Sequence, residues 1–217
     1  MAKRRKVGNL LAVPVMTALW QQPMYPYQIA MMLRDRGKDR AVTANWGSFY
    51  TVIKNLEKNG FIETVETVRK GNQPERTVYR LTDAGRAELT DWLRELLGEP
   101  EPEMDRLEAG LSDFMVLHPD EVIELLRHRL SALEERIVEM EAELDGVRSM
   151  VPRIFLIEAE YRLAMDKAQA EWVRGMLTEM ETGTLPGFRE LRQIHETGEI
   201  PPEYQELFEQ EARKYQD

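Results

Sequence analysis

Cysteine is absent from the 217 residues. That excludes a disulfide framework and thiolate metal sites, and it permits a reducing compartment. Histidine is scarce: His118, His128 and His195 are the only three, and none has a histidine partner at metal-ligand spacing. Neither a Gly-x-Ser-x-Gly elbow nor a glycine-rich phosphate loop occurs. The glutamates crowded between 134 and 145 read as solvated helix faces, not as paired catalytic acids. These gaps argue against an enzyme and imply neither metal nor cofactor. A long apolar run is lacking too. Val7–Trp20 follows Lys3-Arg4-Arg5-Lys6 as in a secretory leader, but no small-x-small site closes it. It is also shorter than the roughly 20 residues that span a bilayer. We read it as a basic arm followed by the first helix of a domain, in a cytoplasmic protein.

What is present is charge, unevenly placed. The chain is 42% hydrophobic and 31% charged, with a net charge of −10. Residues 1–97 hold 16 Lys+Arg against 10 Asp+Glu, a net +6, whereas residues 98–217 hold 13 against 29, a net −16. An acidic total thus conceals a basic N-terminal half, and the charge of each half says more about partners than the sum.

The pattern along the chain predicts the elements. Leu11, Val15 and Leu19 have helical spacing within Leu10–Gln21, and Pro23-Met24-Tyr25-Pro26 breaks that helix. A second helix is expected from Tyr27 to about Asp35, with Ile29, Met32 and Leu33 inward. A third follows Asn45, an N-cap residue. Phe49, Val52, Ile53 and Leu56 form its buried stripe, and Asn59-Gly60 ends it in a left-handed turn. Phe61–Val68 alternates and is rich in β-formers. Arg69–Pro74 is a polar turn, Arg76–Leu81 a return strand, and Thr82-Asp83-Ala84-Gly85 opens a further helix, Arg86–Leu97. Gly98-Glu99-Pro100-Glu101-Pro102-Glu103 is the clearest boundary. We therefore divide the chain into a domain at 1–97, a linker at 98–103 and an acidic helical region at 104–217.

Beyond the linker a short helix covers about Met104–Val116, and Pro119-Asp120 starts a long one. Within it Leu126, Leu130, Leu133, Ile137, Met140, Leu144, Val147 and Val151 alternate spacings of four and three, a heptad seam. Pro152 ends it. A second long helix, about Arg153–Glu181, carries Ile157, Tyr161, Met165, Ala168, Trp172 and Met176 at nearly the same spacing. Two short amphipathic helices, split by Gly198–Pro202, are expected in the tail.

The helix and hairpin of 45–81 carry the functional reading. A helix with a polar outer face fits the major groove, and a hairpin tipped with cations reaches the phosphates beside it. With Phe49, Ile53 and Leu56 inward, Ser48, Tyr50, Thr51, Lys54 and Asn55 fall on the outer and flanking faces. Arg69, Lys70 and Arg76 are the expected wing contacts to phosphate, and Lys3–Lys6 form either a further arm or a solubilising run. Glu63 and Glu66 temper the charge of the wing. Any small α+β domain also has a solvated helix face and a charged hairpin, and spacing alone does not separate the two.

Three ordered motifs do. Trp46-Gly47-Ser48-Phe49-Tyr50 through Leu56-Glu57-Lys58-Asn59-Gly60-Phe61-Ile62 resembles the recognition-helix signature of the PadR family of transcriptional regulators. Arg76-Thr77-Val78-Tyr79-Arg80-Leu81-Thr82-Asp83-Ala84-Gly85 resembles that family's Arg-x-x-Tyr-x-Leu-Thr-x-x-Gly segment, and Tyr25-Pro26-Tyr27-Gln28-Ile29 its opening of helix two. Met24 stands where that family has Gly, Thr51 where Pro is common, and Phe61 where Leu is common. The resemblance covers about residues 10–97. It implies a mainly α protein: an N-terminal winged helix-turn-helix of three helices and a two-stranded wing, followed by long C-terminal helices that dimerise. It implies a regulator, usually a repressor, that binds operator DNA as a homodimer.

The heptad seam independently needs a partner surface, either the 153–181 helix or a second chain. We assign Leu126, Leu130, Leu133, Ile137, Met140, Leu144 and Val147 to dimerisation, because one winged helix alone makes few base contacts and DNA readers commonly pair half-sites. Some relatives in the family bind flat aromatic ligands, and Trp92, Phe155, Tyr161, Met165 and Trp172 are the candidates to line such a pocket here. Aromatics at helical spacing also suit a plain core. The rival from another class is a helical protein-interaction module whose winged fold has no DNA affinity.

Overall fold

Asn9 starts the first helix. Its side chain accepts from the Leu11 N–H at 2.9 Å and its carbonyl from the Ala12 N–H at 2.8 Å. Helix α1 then runs Ala12–Gln21, with Pro14 in the first turn, where a missing N–H costs nothing. In the computed structural model, residues 5–35, 46–68, 76–100, 105–202, 204–205 and 213 are described, those of Trp46, Thr67, Val68 and Arg76 by backbone alone. The chain forms two compact units, Met1–Glu103 and Met104–Asp217.

In the first unit α1 is followed by α2 (Pro26–Asp35), α3 (Trp46–Lys58), β1 (Ile62–Val68), β2 (Arg76–Leu81) and α4 (Asp83–Gly98). The apolar stripes meet in one core. Val15, Met16, Ile29, Phe49 and Leu56 are fully enclosed, with Val52, Ile53, Leu89 and Trp92 around them. The apolar run after the basic arm is therefore a core helix. The strands pair antiparallel from Ile62↔Leu81 to Val68↔Arg76. The register shifts between Thr64 and Glu66, a bulge that leaves Val65 unpaired and interrupts the alternation read from the sequence. Met24 adds a bridge to Tyr79, its N–H donating at 3.0 Å and its carbonyl accepting at 2.9 Å. The side chain of Met24 is buried.

The hinge between hairpin and helix explains a sequence motif. The Thr82 hydroxyl donates to the Gly60 carbonyl at 2.7 Å and accepts from the Gly85 N–H at 3.0 Å, so one residue caps α4 and ties it to the end of α3. A Cβ on Gly85 would lie 1.9 Å from the Phe61 carbonyl oxygen. Only glycine allows that approach.

The second unit comprises α5 (Arg106–Asp113), a 3-10 turn (Phe114–Val116), α6 (Pro119–Val147), a 3-10 turn (Arg153–Phe155), α7 (Ile157–Thr182) and α8 (Phe188–Thr197). Asp105 caps α5 through the Glu108 N–H at 2.8 Å. Gly183, at φ 70°, ends α7. The two long helices pack on each other. Toward one end Val122, Ile123 and Leu126 bury against Val173, Leu177 and Met180, with Phe188 of α8. Toward the other, Leu144 buries with Leu156 and Leu163. The heptad seam of α6 thus closes inside the chain: Leu126, Leu133 and Leu144 are buried, and Leu130, Ile137, Met140 and Val147 are partly buried in the same clusters or beside them. The enclosed members, Leu126, Leu133 and Leu144, pack within the chain.

The partner stripe on α7 is not the one its large side chains suggest. Leu156, Ala159, Leu163, Asp166, Ala170, Val173, Leu177 and Met180 repeat at three and four and make up its inward side. Ile157, Tyr161, Met165 and Trp172 point outward, 45–68% exposed. At the inward position Asp166 accepts from Arg136 Nε of α6 at 2.7 Å, an ion pair set into the apolar stripe. Among the described residues no helix is long and apolar enough to cross a membrane.

Candidate nucleic-acid interface

Helix α3 is held by what it buries. Phe49, Val52, Ile53 and Leu56 have at most 2% of their surface exposed, so the rotation of the helix about its axis is fixed. The opposite side then presents Gly47, Tyr50, Thr51, Lys54 and Asn55 to solvent, with Ser48 half-buried at the edge. All five sequence-predicted residues of this helix therefore share an accessible band. Several are already oriented. The Thr51 hydroxyl donates to the Gly47 carbonyl at 2.7 Å, which leaves its lone pairs outward. Ser48 Oγ accepts from Asn9 Nδ2 at 3.2 Å. The Tyr50 ring meets Phe49 edge-on, with centroids 5.6 Å apart.

Beside this band lies a groove of about 480 Å³ lined by Tyr25, Tyr27, Tyr50, Lys54, Thr77 and Tyr79 among others. Phenols and one ammonium, around the buried Ile53, suit stacking and hydrogen bonding to a polyanion. Burial raises the proton affinity of the Tyr79 phenol, and the charge and hydrogen bond of Glu57 raise it further. Glu57 also accepts from Thr64 at 2.9 Å, so this carboxylate of α3 pins both strands of the hairpin. On the exposed side of the sheet Arg80 pairs with Glu63 at 2.6 Å. The wing cations Arg69 and Lys70 and the N-cap Asn45 lie outside the described residues; Arg76 is placed in β2 by its backbone.

One basic residue of the N-terminal run is not free to reach DNA. Arg5 has only 3% of its side chain exposed. It pairs with Glu88 at 2.8 Å, with Asp91 at 3.3 Å and with Glu95, and it stacks over Trp92 at 5.0 Å. Burial by itself would lower its proton affinity, but the hydrogen bonds and charges of Glu88 and Glu95 outweigh that and raise it. Its Nε has no partner among the described residues. Reading Lys3–Lys6 as one uniform arm or charge run therefore fails at Arg5, because a ladder of carboxylates along α4 captures it. The signal was available in the spacing of Glu88, Asp91, Trp92 and Glu95, which places all four along one side of a helix.

The five aromatic-pocket candidates are divided between the two units, Trp92 in the first and the other four in the second. Trp92 belongs to the core of the first unit. Met165 and Trp172 line a shallow groove with Leu107 and Leu111 of α5. Phe155 and Tyr161 are 75% and 68% exposed and lie outside that groove. Among the described residues no three His, Cys, Asp or Glu side chains form a metal-holding group.

Comparison with known proteins places this geometry. Residues 15–91 match the family described as "Transcriptional regulator PadR-like family". The "Probable transcriptional regulator Rv1176c" of Mycobacterium tuberculosis is 29% identical over 94 residues, 42% of this chain and 49% of that protein. The "Negative transcriptional regulator PadR" of Bacillus subtilis is 29% identical over 105 residues, 48% of this chain and 56% of its own length. The chain thus spans about half the length of the curated relatives it matches. The fold is that of Bacillus subtilis PadR solved with operator DNA, with a TM-score of 0.60 at 20% identity over 79% of this chain and 99% of that one. The same protein solved with p-coumaric acid gives a TM-score of 0.59 at 20% identity, over 79% of this chain and 98% of that one. These relatives are regulators, not enzymes. The helix, the hairpin and the Thr-x-x-Gly hinge all lie within the matched residues 15–91, and it is this N-terminal region that is similar to the PadR-like family of transcriptional regulators.

Proposed function

We propose that this regulator binds operator DNA as a homodimer, setting two copies of α3 in successive major grooves, and that it represses transcription. The observation that carries the reading is the outward band of α3. It displays Ser48, Tyr50, Thr51, Lys54 and Asn55 on a helix whose rotation the core fixes. Short hydrogen-bonding side chains with one cation suit base edges and phosphates together. Arg69, Lys70 and Arg76 supply the wing contacts in this reading. One relative points the same way: Bacillus subtilis PadR is a negative transcriptional regulator and was solved in complex with operator DNA.

Dimerisation rests on a different surface from the α6 seam. Ile157, Tyr161, Met165 and Trp172 lie along one exposed side of α7, and an apolar stripe of that length is the kind of surface a second protomer covers. A small-molecule effector that alters the spacing of the two α3 helices completes the reading, as a shift between two dimer geometries. Bacillus subtilis PadR was solved with p-coumaric acid.

The test is a gel shift with the DNA upstream of the gene at two salt concentrations, using the intact protein and a Tyr50→Ala, Lys54→Ala, Lys70→Ala triple variant. The intact protein should bind and weaken steeply with salt. Binding by the triple variant at unchanged affinity overturns the reading.

A further inference from the structure

The second unit holds a groove whose lining contradicts its surroundings. Residues 104–217 carry 26 Asp+Glu against 13 Lys+Arg. Yet among the described residues the groove of about 490 Å³ between α5 and α6 is lined by no acidic side chain. Its ionisable lining is Arg106, His128, Arg129 and Arg136, over apolar side chains that include Leu111 and Phe114. On so acidic a unit, three guanidiniums gathered along one groove mark a local anion-attracting spot.

The three arginines are not equivalent. Arg136 is held by Asp166 through two hydrogen bonds, its Nε donating at 2.7 Å, so its charge is already balanced. Arg129 donates to the neutral amide oxygen of Gln169, at 3.4 Å, and keeps its charge. Arg106 makes no hydrogen bond or ion pair that the described residues supply. Two guanidiniums with no carboxylate partner among the described residues thus border an apolar trough. Guanidinium favours carboxylate through paired N–H donors, and the volume lies within the range of small-molecule sites. Leu111 and Phe114 demand an apolar body on the ligand. A bare inorganic anion would leave that trough unfilled.

We propose that the α5–α6 groove binds a small amphipathic carboxylate, with its apolar body against Leu111 and Phe114 and its head between Arg106 and Arg129. This deepens the effector part of the proposed function and rests on it only for the consequence at DNA. The site lies within one unit of one chain. It uses none of the five aromatic residues suggested by the sequence.

Calorimetric titration of the full-length protein, without DNA, tests the site. The probes are 4-phenylbutyrate and decanoate, each against its alcohol, 4-phenylbutanol and decanol. At least one acid should bind saturably, one per chain, and at least ten-fold tighter than its alcohol; which acid binds identifies an aryl or an alkyl ligand. The pair change Arg106→Ala, Arg129→Ala should bring acid and alcohol within two-fold of each other at an unchanged thermal midpoint. Leu111→Trp should abolish binding of both at unchanged far-UV dichroism. No binding of either acid, equal binding of acid and alcohol, or a double-alanine variant that keeps the preference would each overturn the site. Because the titration contains no DNA, a failed gel shift overturns the regulator reading alone and leaves the groove to stand on its own binding data.

Discussion

Helices α3 and α7 are built alike and end differently. Each buries a stripe of apolar side chains that fixes its rotation, and each therefore offers a defined outer side. On α3 that side is Tyr50, Thr51, Lys54 and Asn55, groups that hydrogen-bond in water and to a polar ligand. On α7 it is Ile157, Tyr161, Met165 and Trp172, groups that gain by leaving water. The buried stripe specifies which way a helix faces, and the chemistry of the remainder specifies the kind of partner. A polar band with a cation suits a nucleic acid, and an apolar stripe suits a protein surface.

The sharpest way to break the comparison uses neighbouring residues on α7. Val173 is fully enclosed, whereas Trp172 is 45% exposed. Val173→Asp places an unpaired charge between α6 and α7, which should cost several kcal/mol, about the margin of a small domain. The expected result is loss of cooperative thermal unfolding of the second unit, read by far-UV dichroism. Trp172→Asp should leave that helical signal intact and shift the sedimentation coefficient toward a single chain. If Trp172→Asp melts the hairpin, or leaves a dimer intact, the outward stripe of α7 is not a partner surface.

Second in size is Arg5, which stabilises the unit that presents α3. Arg5→Ala removes the cation from Glu88, Asp91 and Glu95 and leaves those carboxylates close together. Breaking so enclosed a cluster should cost roughly 3 kcal/mol, seen as a lower denaturant midpoint. Arg5→Lys should recover only part, since an ammonium cannot fork to several carboxylates while stacking on Trp92. An Arg5→Ala protein as stable as the parent would show that α3 is held by its apolar core alone.

The difference between the two helices also separates what the sequence made legible from what it did not. The stripe of α3 was plain, because Phe49, Val52, Ile53 and Leu56 are all large and nothing rivals them on the outer side. The α6 seam was equally plain as a pattern, but its partner was not. The inward heptad of α7 includes Ala159, Asp166 and Ala170, which are small or charged. They pack because α6 comes close and supplies Arg136 for the carboxylate. Ile157, Tyr161, Met165 and Trp172 outweigh them in hydropathy, so the sequence drew attention to the wrong side of α7 for the hairpin. The capture of Arg5 depends on contacts 83 to 90 residues apart: the spacing of Glu88, Asp91 and Glu95 marks an acidic side of α4 but not which cation fills it. The bulge at Val65 depends on register, which alternation does not encode.

A smaller effect sharpens the α3 side. Lys54→Ala should weaken operator binding by about 1 kcal/mol, uniformly across sequences, and reduce the slope of log affinity against log salt by about 1. A charge-retaining Lys54→Arg should keep the slope. An unchanged slope in Lys54→Ala would remove this residue from the phosphate contacts and leave Tyr50, Thr51 and Asn55 to carry the band.

The smallest expected effect is a proton. The Tyr79 phenol is raised above its ordinary 10.0, first by burial and then by the charge and hydrogen bond of Glu57. The folded chain therefore holds this proton more tightly than the unfolded chain. Stability from the contact is complete below the unfolded value and is lost as pH rises through the folded one. Tyr79→Phe keeps the ring and deletes the hydroxyl, so its loss of stability above pH 10 should be shallower than that of the parent. Denaturant midpoints measured at neutral and strongly alkaline pH read this directly. Parallel curves would mean that Glu57 does not hold β2 through Tyr79. The tyrosine groove beside α3 would then be fixed by the Met24 bridge and the core instead, leaving the polar band resting on apolar packing as the α7 stripe does.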